Sequence, residues 1–269
     1  MYFEILPMIK SLKDKIIVDL DDVDNLKDVE RLVKELAPYV GYFKVGLPLL
    51  TSVGAPEVVT LIHGLGGRVF LDGKFNDIPS TVEKASAAAI KLNVEMFNVH
   101  ASAGIDAMTM AMQTKKKKGS QAIILAITVL SSLDKKNTYH IFGASPEEKV
   151  IQLALDAEIA GIDGIICSPQ ELVFLRKQEK LRGMIIVTPG IRPEWYPTND
   201  QKRTMTPEEA VLAGADFLVI GRPITQPLTG TPVDAVELIL EEIKEAQEKR
   251  AQAEKKAQAI RILKEIKET

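Results

Sequence analysis

Phe70-Leu71-Asp72-Gly73-Lys74-Phe75-Asn76-Asp77-Ile78-Pro79 is the stretch on which the reading of this chain turns. With Arg68 and Val69 ahead of it, the apolar lead-in reads as a buried strand that stops at an Asp-x-Lys-x-x-Asp cluster. Three ionisable groups within six residues at a strand end would each cost several kcal/mol in a packed interior unless paired. A second cationic residue, Lys44, ends the preceding apolar run Gly41-Tyr42-Phe43-Lys44-Val45-Gly46 in the same way. The spacing therefore implies an array of compensated charges, assembled where strands finish.

Outward from that stretch, short apolar runs alternate with helical patterns. Strands are predicted over 15–20, 42–45, 68–71, 96–99, 122–128, 164–167, 184–187 and 217–220. Helices are predicted over 26–36, 55–65, 79–92, 105–117, 146–160, 169–180 and 207–213, with a last one beginning near Pro232. Proline or a capping Ser, Asp or Thr opens several of them and Gly follows several ends, as start and stop chemistry requires. Eight strands alternating with eight helices is the count of a (β/α)8 TIM barrel, the alternative being a doubly wound open sheet. The barrel is assigned to residues 1–245 and a C-terminal helical extension to 246–269, where Ala, Glu, Lys and Gln dominate and Ile260, Leu263 and Ile266 recur at helical spacing.

Composition permits an enzyme without naming one. The chain of 269 residues is 46% hydrophobic and 26% charged, and its net charge of −3 argues against nucleic acid or anionic membrane as the main partner. A lone cysteine, Cys167, excludes an internal disulfide and fits a reducing cytoplasm. No apolar run approaches the roughly 20 residues needed to span a bilayer, and the opening residues lack a secretory apolar stretch. His63 and His140 do not cluster with carboxylates at ligand spacing, so no metal is assigned. His100 reads as a structural hydrogen-bonding residue, and Lys115 to Lys118 as a solvated helix end.

Active sites of such barrels lie at the C-terminal ends of the strands. The polar residues gather there: Asp21, Lys44, Asp72, Lys74, His100, Ser131 and Ser132, then Pro189-Gly190-Ile191-Arg192 and Gly221-Arg222. Loops after strands seven and eight of barrels commonly bind phosphate, which glycine amides and arginine forks suit. The residues thus point to a phosphorylated small substrate.

Five segments together carry a family resemblance: Phe43-Lys44-Val45-Gly46-Leu47-Pro48, Leu71 to Pro79, Val187-Thr188-Pro189-Gly190-Ile191-Arg192-Pro193, Asp200-Gln201-Lys202-Arg203, and Val219-Ile220-Gly221-Arg222-Pro223-Ile224-Thr225. In that order they resemble orotidine 5′-monophosphate decarboxylase over roughly residues 10–245. The resemblance implies removal of the orotate carboxylate to give UMP, with no metal or organic cofactor. It implies a Lys-Asp-Lys-Asp array of Lys44, Asp72, Lys74 and Asp77, with Lys74 as proton donor to carbon 6 and Asp72 against the departing carboxylate. It places Asp21 on the ribose hydroxyls, Ser131 on the pyrimidine edge with Ser132 as competitor, and Arg222 on the phosphate, flanked by Arg192 and Gln201. Pro189 and Gly221 complete the substrate-binding set, and residues 192–204 would form a closing lid. It also implies a homodimer in which Asp77 and Thr81 reach the partner's site.

Two departures from the family pattern stand out. The first strand usually ends Ala-Leu-Asp, whereas this chain reads Asp19-Leu20-Asp21; residues two apart share a strand face, so Asp19 is predicted to point into the barrel below the site. The helix that normally finishes near Glu245 continues to Thr269. Two further readings accompany the decarboxylase. One is a metal-dependent sugar-phosphate decarboxylase or aldolase of the same barrel type, although those typically carry glutamate where Lys44 stands. The other is a decarboxylase-derived nucleotide-binding or assembly scaffold, natural or engineered, weakened by Asp19.

Overall fold

Alternation of inward and outward side chains builds the barrel. A computed structural model of the chain describes residues 11–197 and 203–268, with side chains at every one of these positions except 254 and 256–268. Eight parallel strands close on themselves in sequence order: β1 (Ile16–Asp19), β2 (Tyr42–Val45), β3 (Val69–Phe75), β4 (Met96–His100), β5 (Ile123–Ile127), β6 (Gly164–Ile166), β7 (Ile185–Thr188) and β8 (Phe217–Ile220). β1 closes the ring on β8, Ile17 lying opposite Val219. The (β/α)8 barrel expected from the alternation of patterns is the observed fold, and the open sheet is excluded.

Two apolar cores follow from the period of two. Ile17, Tyr42, Phe70, Met96, Ile123, Leu125, Ile185, Val187, Phe217 and Val219 fill the barrel interior. Their strand neighbours, such as Ile16, Val18, Phe43, Val45, Leu71, Phe97 and Ile186, face the helices in a larger outer core. Stacked inward layers of this kind make the barrel a plug rather than a pore. The plug positions the site. Two residues beyond an inward apolar residue comes the next inward one, and there Ile17 is followed by Asp19, Tyr42 by Lys44, Phe70 by Asp72 and Met96 by Asn98.

Helices α1 (Leu26–Leu36), α2 (Leu47–Ser52), α3 (Ala55–Gly64), α4 (Pro79–Lys91), α5 (Ile105–Lys117), α6 (Lys135–Phe142), α7 (Pro146–Ile159), α8 (Leu172–Lys177), α9 (Pro207–Ala213), α10 (Arg222–Thr225) and α11 (Pro232–Glu268) cover the sheet. Capping chemistry sets several starts: Asn25 accepts from the Asp28 amide, and Ser145 with Glu148 and Thr206 with Glu209 form capping boxes. The short helices α2, α6 and α10 lie where the sequence reading had only loops, each being four to eight residues long. The single helix expected over 169–180 is instead α8 between two 3₁₀ turns. No helix among the described residues is long and apolar enough to cross a membrane. α11 runs unbroken past 245, with Ala246 buried and Lys249 hydrogen-bonded to Glu208 at the start of α9.

Candidate active site

β3 departs from the reading that ended it at Leu71, and the reason is the site itself. Leu71 pairs with Phe97 and Phe75 with Val99, so four steps along β3 match two along β4. The surplus is a bulge through Asp72-Gly73-Lys74, a device that re-aims side chains beside active sites. Lys74 sits at φ +50°, a left-handed conformation rarely taken by non-glycine residues. Its amide donates to Asn98 Oδ1 at 2.7 Å, which fixes the strained turn. At Gly73 a Cβ would stand 2.6 Å from the Phe75 ring, so a side chain there would force that ring to move.

The bulge delivers Asp72 to the centre of a charge cluster. Its Oδ2 accepts from Lys44 Nζ at 3.0 Å and from Lys74 Nζ at 2.6 Å. Its Oδ1 accepts from Asn98 Nδ2 at 2.6 Å. Burial alone would raise the Asp72 pKa, but the two ammonium groups and these hydrogen bonds outweigh it and hold the carboxyl at about 2. Lys44 is itself almost wholly buried, and its Nζ lies 2.8 Å from Asp19 Oδ1 and 2.7 Å from Asp21 Oδ2. Burial pulls its pKa down; Asp19, Asp72 and Asp21 more than reverse this and raise it above the ordinary lysine value. Asp19 goes the other way. Burial and neighbouring Asp21 push its pKa up against the pull of Lys44.

These side chains wall a cavity of roughly 190 Å³ at the C-terminal mouth of the barrel, lined by Asp19, Asp21, Lys44, Asp72, Lys74, Ser131 and Pro189 over an apolar floor of Phe70, Ile127, Ile166 and Val219. Asp19 does point into the barrel, as the two-residue spacing predicted. Of the adjacent serines, Ser131 lines the cavity and Ser132 is exposed. Cys167 lies at the same floor, buried, its thiol pKa raised by burial. His100 is half-buried at the end of β4, its pKa lowered by burial and then by Lys74.

Other predicted positions stand apart from the cluster. Asp77 is exposed, its Oδ1 accepting from the Ile78 amide at 2.7 Å, and among the described residues it makes no ion pair within the chain. Thr81 is exposed on the first turn of α4. Arg222 opens α10 directly after Gly221, its Nε 3.9 Å from Asp22 Oδ2. Arg192 is buried after β7, where its amide donates to Met205 O and its Nη1 to Ile191 O. Gln201 and part of the 192–204 segment lie outside the described residues, as do the side chains of Ile260, Leu263 and Ile266. Asn98 was missed by the sequence reading, though an amide in the otherwise apolar run Met96-Phe97-Asn98-Val99 was the available signal. No group of three or more His, Cys, Asp or Glu side chains among the described residues is placed to hold a metal ion.

Comparison with known proteins follows the same lines. The sequence profile described as OMPdecase, Orotidine 5'-phosphate decarboxylase / HUMPS family, matches residues 14–239. An orotidine 5'-phosphate decarboxylase of Geotalea uraniireducens is 46% identical over 226 residues, spanning 82% of this chain and 92% of that one. One from Syntrophomonas wolfei is 43% identical over 241 residues, spanning 87% and 99%. Among solved structures, orotidine 5'-phosphate decarboxylase from Lactobacillus acidophilus superposes with a TM-score of 0.72 at 31% identity, covering 85% of this chain and 98% of that chain. An uncharacterized conserved protein from Geobacillus kaustophilus gives 0.71 at 28% identity, covering 85% and 99%.

Proposed function

We propose a function from one premise: the chain belongs to the orotidine 5'-phosphate decarboxylase / HUMPS family. It is a carboxy-lyase of pyrimidine biosynthesis that converts orotidine 5'-monophosphate to UMP. The observation that carries the residue-level reading is Asp72 Oδ2 lying between the Lys44 and Lys74 ammonium groups on the cavity wall.

The chemistry asks for stabilisation of electron density left on carbon 6 when its bond to the carboxylate breaks. Carbon dioxide departs and the bonding pair stays on the ring. A preformed ammonium beside that carbon lowers the barrier because it does not reorganise during reaction. Lys74 is assigned that role and then gives carbon 6 its proton, regaining one from solvent afterwards. Asp72 is assigned the face of the departing carboxylate, with Lys44 keeping it ionised. Asp21 takes the ribose hydroxyls, Ser131 the pyrimidine edge, and Arg222, Arg192, Gly221, Pro189 and Gln201 the phosphate end. No metal or organic cofactor takes part.

Asp77 and Thr81, both exposed beyond the bulge, are assigned to the site of a second subunit, beside an exposed Ile78. The working unit is then a homodimer in the cytoplasm, with 1–245 as the catalytic barrel and 246–269 as an appended helical stretch. A metal-dependent sugar-phosphate enzyme would need an acidic ligand where Lys44 stands. Here that position holds an ammonium within 3.0 Å of three carboxylates, which favours the nucleotide reading.

The test is loss of orotidine monophosphate absorbance with EDTA-treated protein. Turnover in the parent, reduced about 10³-fold or more in Lys74→Ala, is expected from loss of an electrostatic and proton-donating group. A folded parent that binds UMP but turns nothing over would overturn the enzyme reading in favour of a scaffold. Turnover of a sugar phosphate that requires added magnesium would replace it with the metal-dependent one.

A further inference from the structure

Arg203 lies just ahead of α9, in the connection that follows β7, yet its guanidinium belongs to the loops after β5 and β6. Nη1 donates to Glu171 Oε1 at 2.7 Å, Nε to Ser131 O at 3.0 Å, and Nη2 reaches Leu130 O at 3.4 Å. All three nitrogens of one planar group are thus committed to two other loops. Glu171 is held in turn: its Oε2 accepts from the Ser168 amide at 2.8 Å in the 3₁₀ turn after β6. Its side chain is only 3% exposed and that of Arg203 16%. Burial raises the Glu171 pKa, opposed by the Arg203 charge. The backbone beside Arg203 is anchored as well, since Met205 bridges Ile191 and accepts from the Arg192 amide at 2.9 Å.

The position of the anchored carbonyls gives the arrangement a purpose. Leu130 and Ser131 both line the cavity, and so does Cys167 beside Ser168. The β5 loop has no strand partner at this point: the Leu133 amide closes the turn on Leu130 O, and the guanidinium ties the Ser131 carbonyl to the loops after β6 and β7. A lysine could not replace it, because a single ammonium cannot span three acceptors in a plane.

We infer that Arg203 is a positioning residue: it staples the loops after β5, β6 and β7 together and so sets the Ser131 hydroxyl against the ligand's ring edge. The inference rests on the nucleotide reading of the cavity. It adds to that reading a residue that touches no substrate, and it makes Glu171 the orienting partner.

A double-mutant cycle tests it. Parent, Arg203→Ala, Ser131→Ala and the double variant are compared in kcat/KM for orotidine monophosphate and in Kd for UMP. Charge-assisted bonds of this kind predict a loss of about ten- to hundredfold in Arg203→Ala. Loss of Ser131 should then cost far less in the Arg203→Ala background than in the parent, the mark of coupled sites. Guanidinium ion at non-denaturing concentration should restore part of the Arg203→Ala activity and none of the Ser131→Ala loss. Losses that multiply independently, or a fully active Arg203→Ala, would overturn the inference. Should Arg203→Ala fail to fold, Arg203→Lys enters the same cycle with the same two outcomes. A parent without turnover would defeat the decarboxylase reading only, because the cycle can still be read on UMP affinity.

Discussion

The two ends of this barrel handle charge in opposite ways. At the N-terminal end an acid stands one residue before three of the four even-numbered strands: Glu95 before β4, Asp163 before β6 and Asp216 before β8. Each accepts the amide of the strand before it, from Val69 at 2.6 Å, Ile124 at 2.7 Å and Ile186 at 2.8 Å. Each also meets one basic partner: His63, Lys115 and Arg176 respectively. Asp14 and Arg68 form a similar clasp beneath β2, where the guanidinium lies 4.3 Å over the Tyr42 ring. At the C-terminal mouth, by contrast, Asp19, Asp21 and Asp72 crowd one lysine, and Lys74 hangs on a strained bulge. One end is balanced pair by pair. The other is not: three carboxylates share two ammonium groups on the wall of the cavity.

That contrast is broken most sharply by Asp72→Asn. The variant keeps the shape but leaves Lys44 and Lys74 facing each other without the carboxylate between them. Turnover should fall by about 10²–10⁴-fold, the range for a group that organises transition-state charge. Matched kinetics of parent and variant check it, and a loss of under tenfold would show that Asp72 is only a structural counter-ion.

The mirror experiment is at the other end. Asp216→Ala removes the carboxylate that accepts from Arg176 Nη2 and from the Ile186 amide, leaving the guanidinium on the Gly214 and Met184 carbonyls and the amide without an acceptor. Removing one partner of this half-buried pair and orphaning the Ile186 amide should destabilise by about 1–3 kcal/mol. Thermal or urea unfolding measures that cost. The parent's kcat should survive at temperatures where the variant remains folded; a selective loss of kcat would mean the two ends are not separable.

Acid should separate them again. The Asp72 carboxyl sits at about 2 in the folded protein, against an unfolded value near 3.9. A depressed carboxyl pKa contributes stability that is fully present above the unfolded value and is lost as pH falls from about 4 to about 2. The contribution is between about 2 and 3 kcal/mol by the linkage relation. Unfolding free energy followed over that window should therefore fall more steeply in the parent than in Asp72→Asn. Equal slopes would mean that Asp72 is not held ionised by its two lysines.

Much of this was legible in the chain, for a physical reason. Strands buried on both faces must be short apolar runs, and a polar residue interrupting one at its end has to be explained. That logic found Lys44, Asp72 and Lys74, and the period of two found Asp19. It passed over Asn98 because an amide carries no charge to draw attention, although burying one unpaired still costs about 1–3 kcal/mol. It also passed over Arg203 and Glu171, which meet across 32 residues of sequence. A contact of that span depends on where three loops come together, and no local spacing encodes it. The β3 bulge was hidden likewise: Gly73 hinted at it, but two extra residues in a strand show only against the partner's register.

The subtlest point of the comparison is Asp19, whose carboxylate gives the mouth its excess of negative charge. Lys44 and Asp21 face it on the cavity side, and the Gly221 backbone approaches so closely that a Cβ there would lie 3.3 Å from Asp19 Cβ. Burial and Asp21 raise its pKa against the pull of Lys44, so it takes up a proton more readily than an ordinary aspartate. An entering nucleotide phosphate meets that charge next to the loop assigned to hold it. Asp19→Asn should therefore tighten UMP binding, by about tenfold for one nearby charge removed. The sign of the pH dependence follows. Above the raised pKa the parent carries the charge and the variant leads; as pH falls through it, the parent takes up a proton and the two converge. Taking the ratio of variant to parent cancels the phosphate's own titration near pH 6. Calorimetric Kd values as a function of pH decide the matter. Weaker binding by Asp19→Asn would mean that the 2.8 Å bond to Lys44 holds the lysine in place, and that the mouth, like the opposite end, is balanced before any ligand arrives.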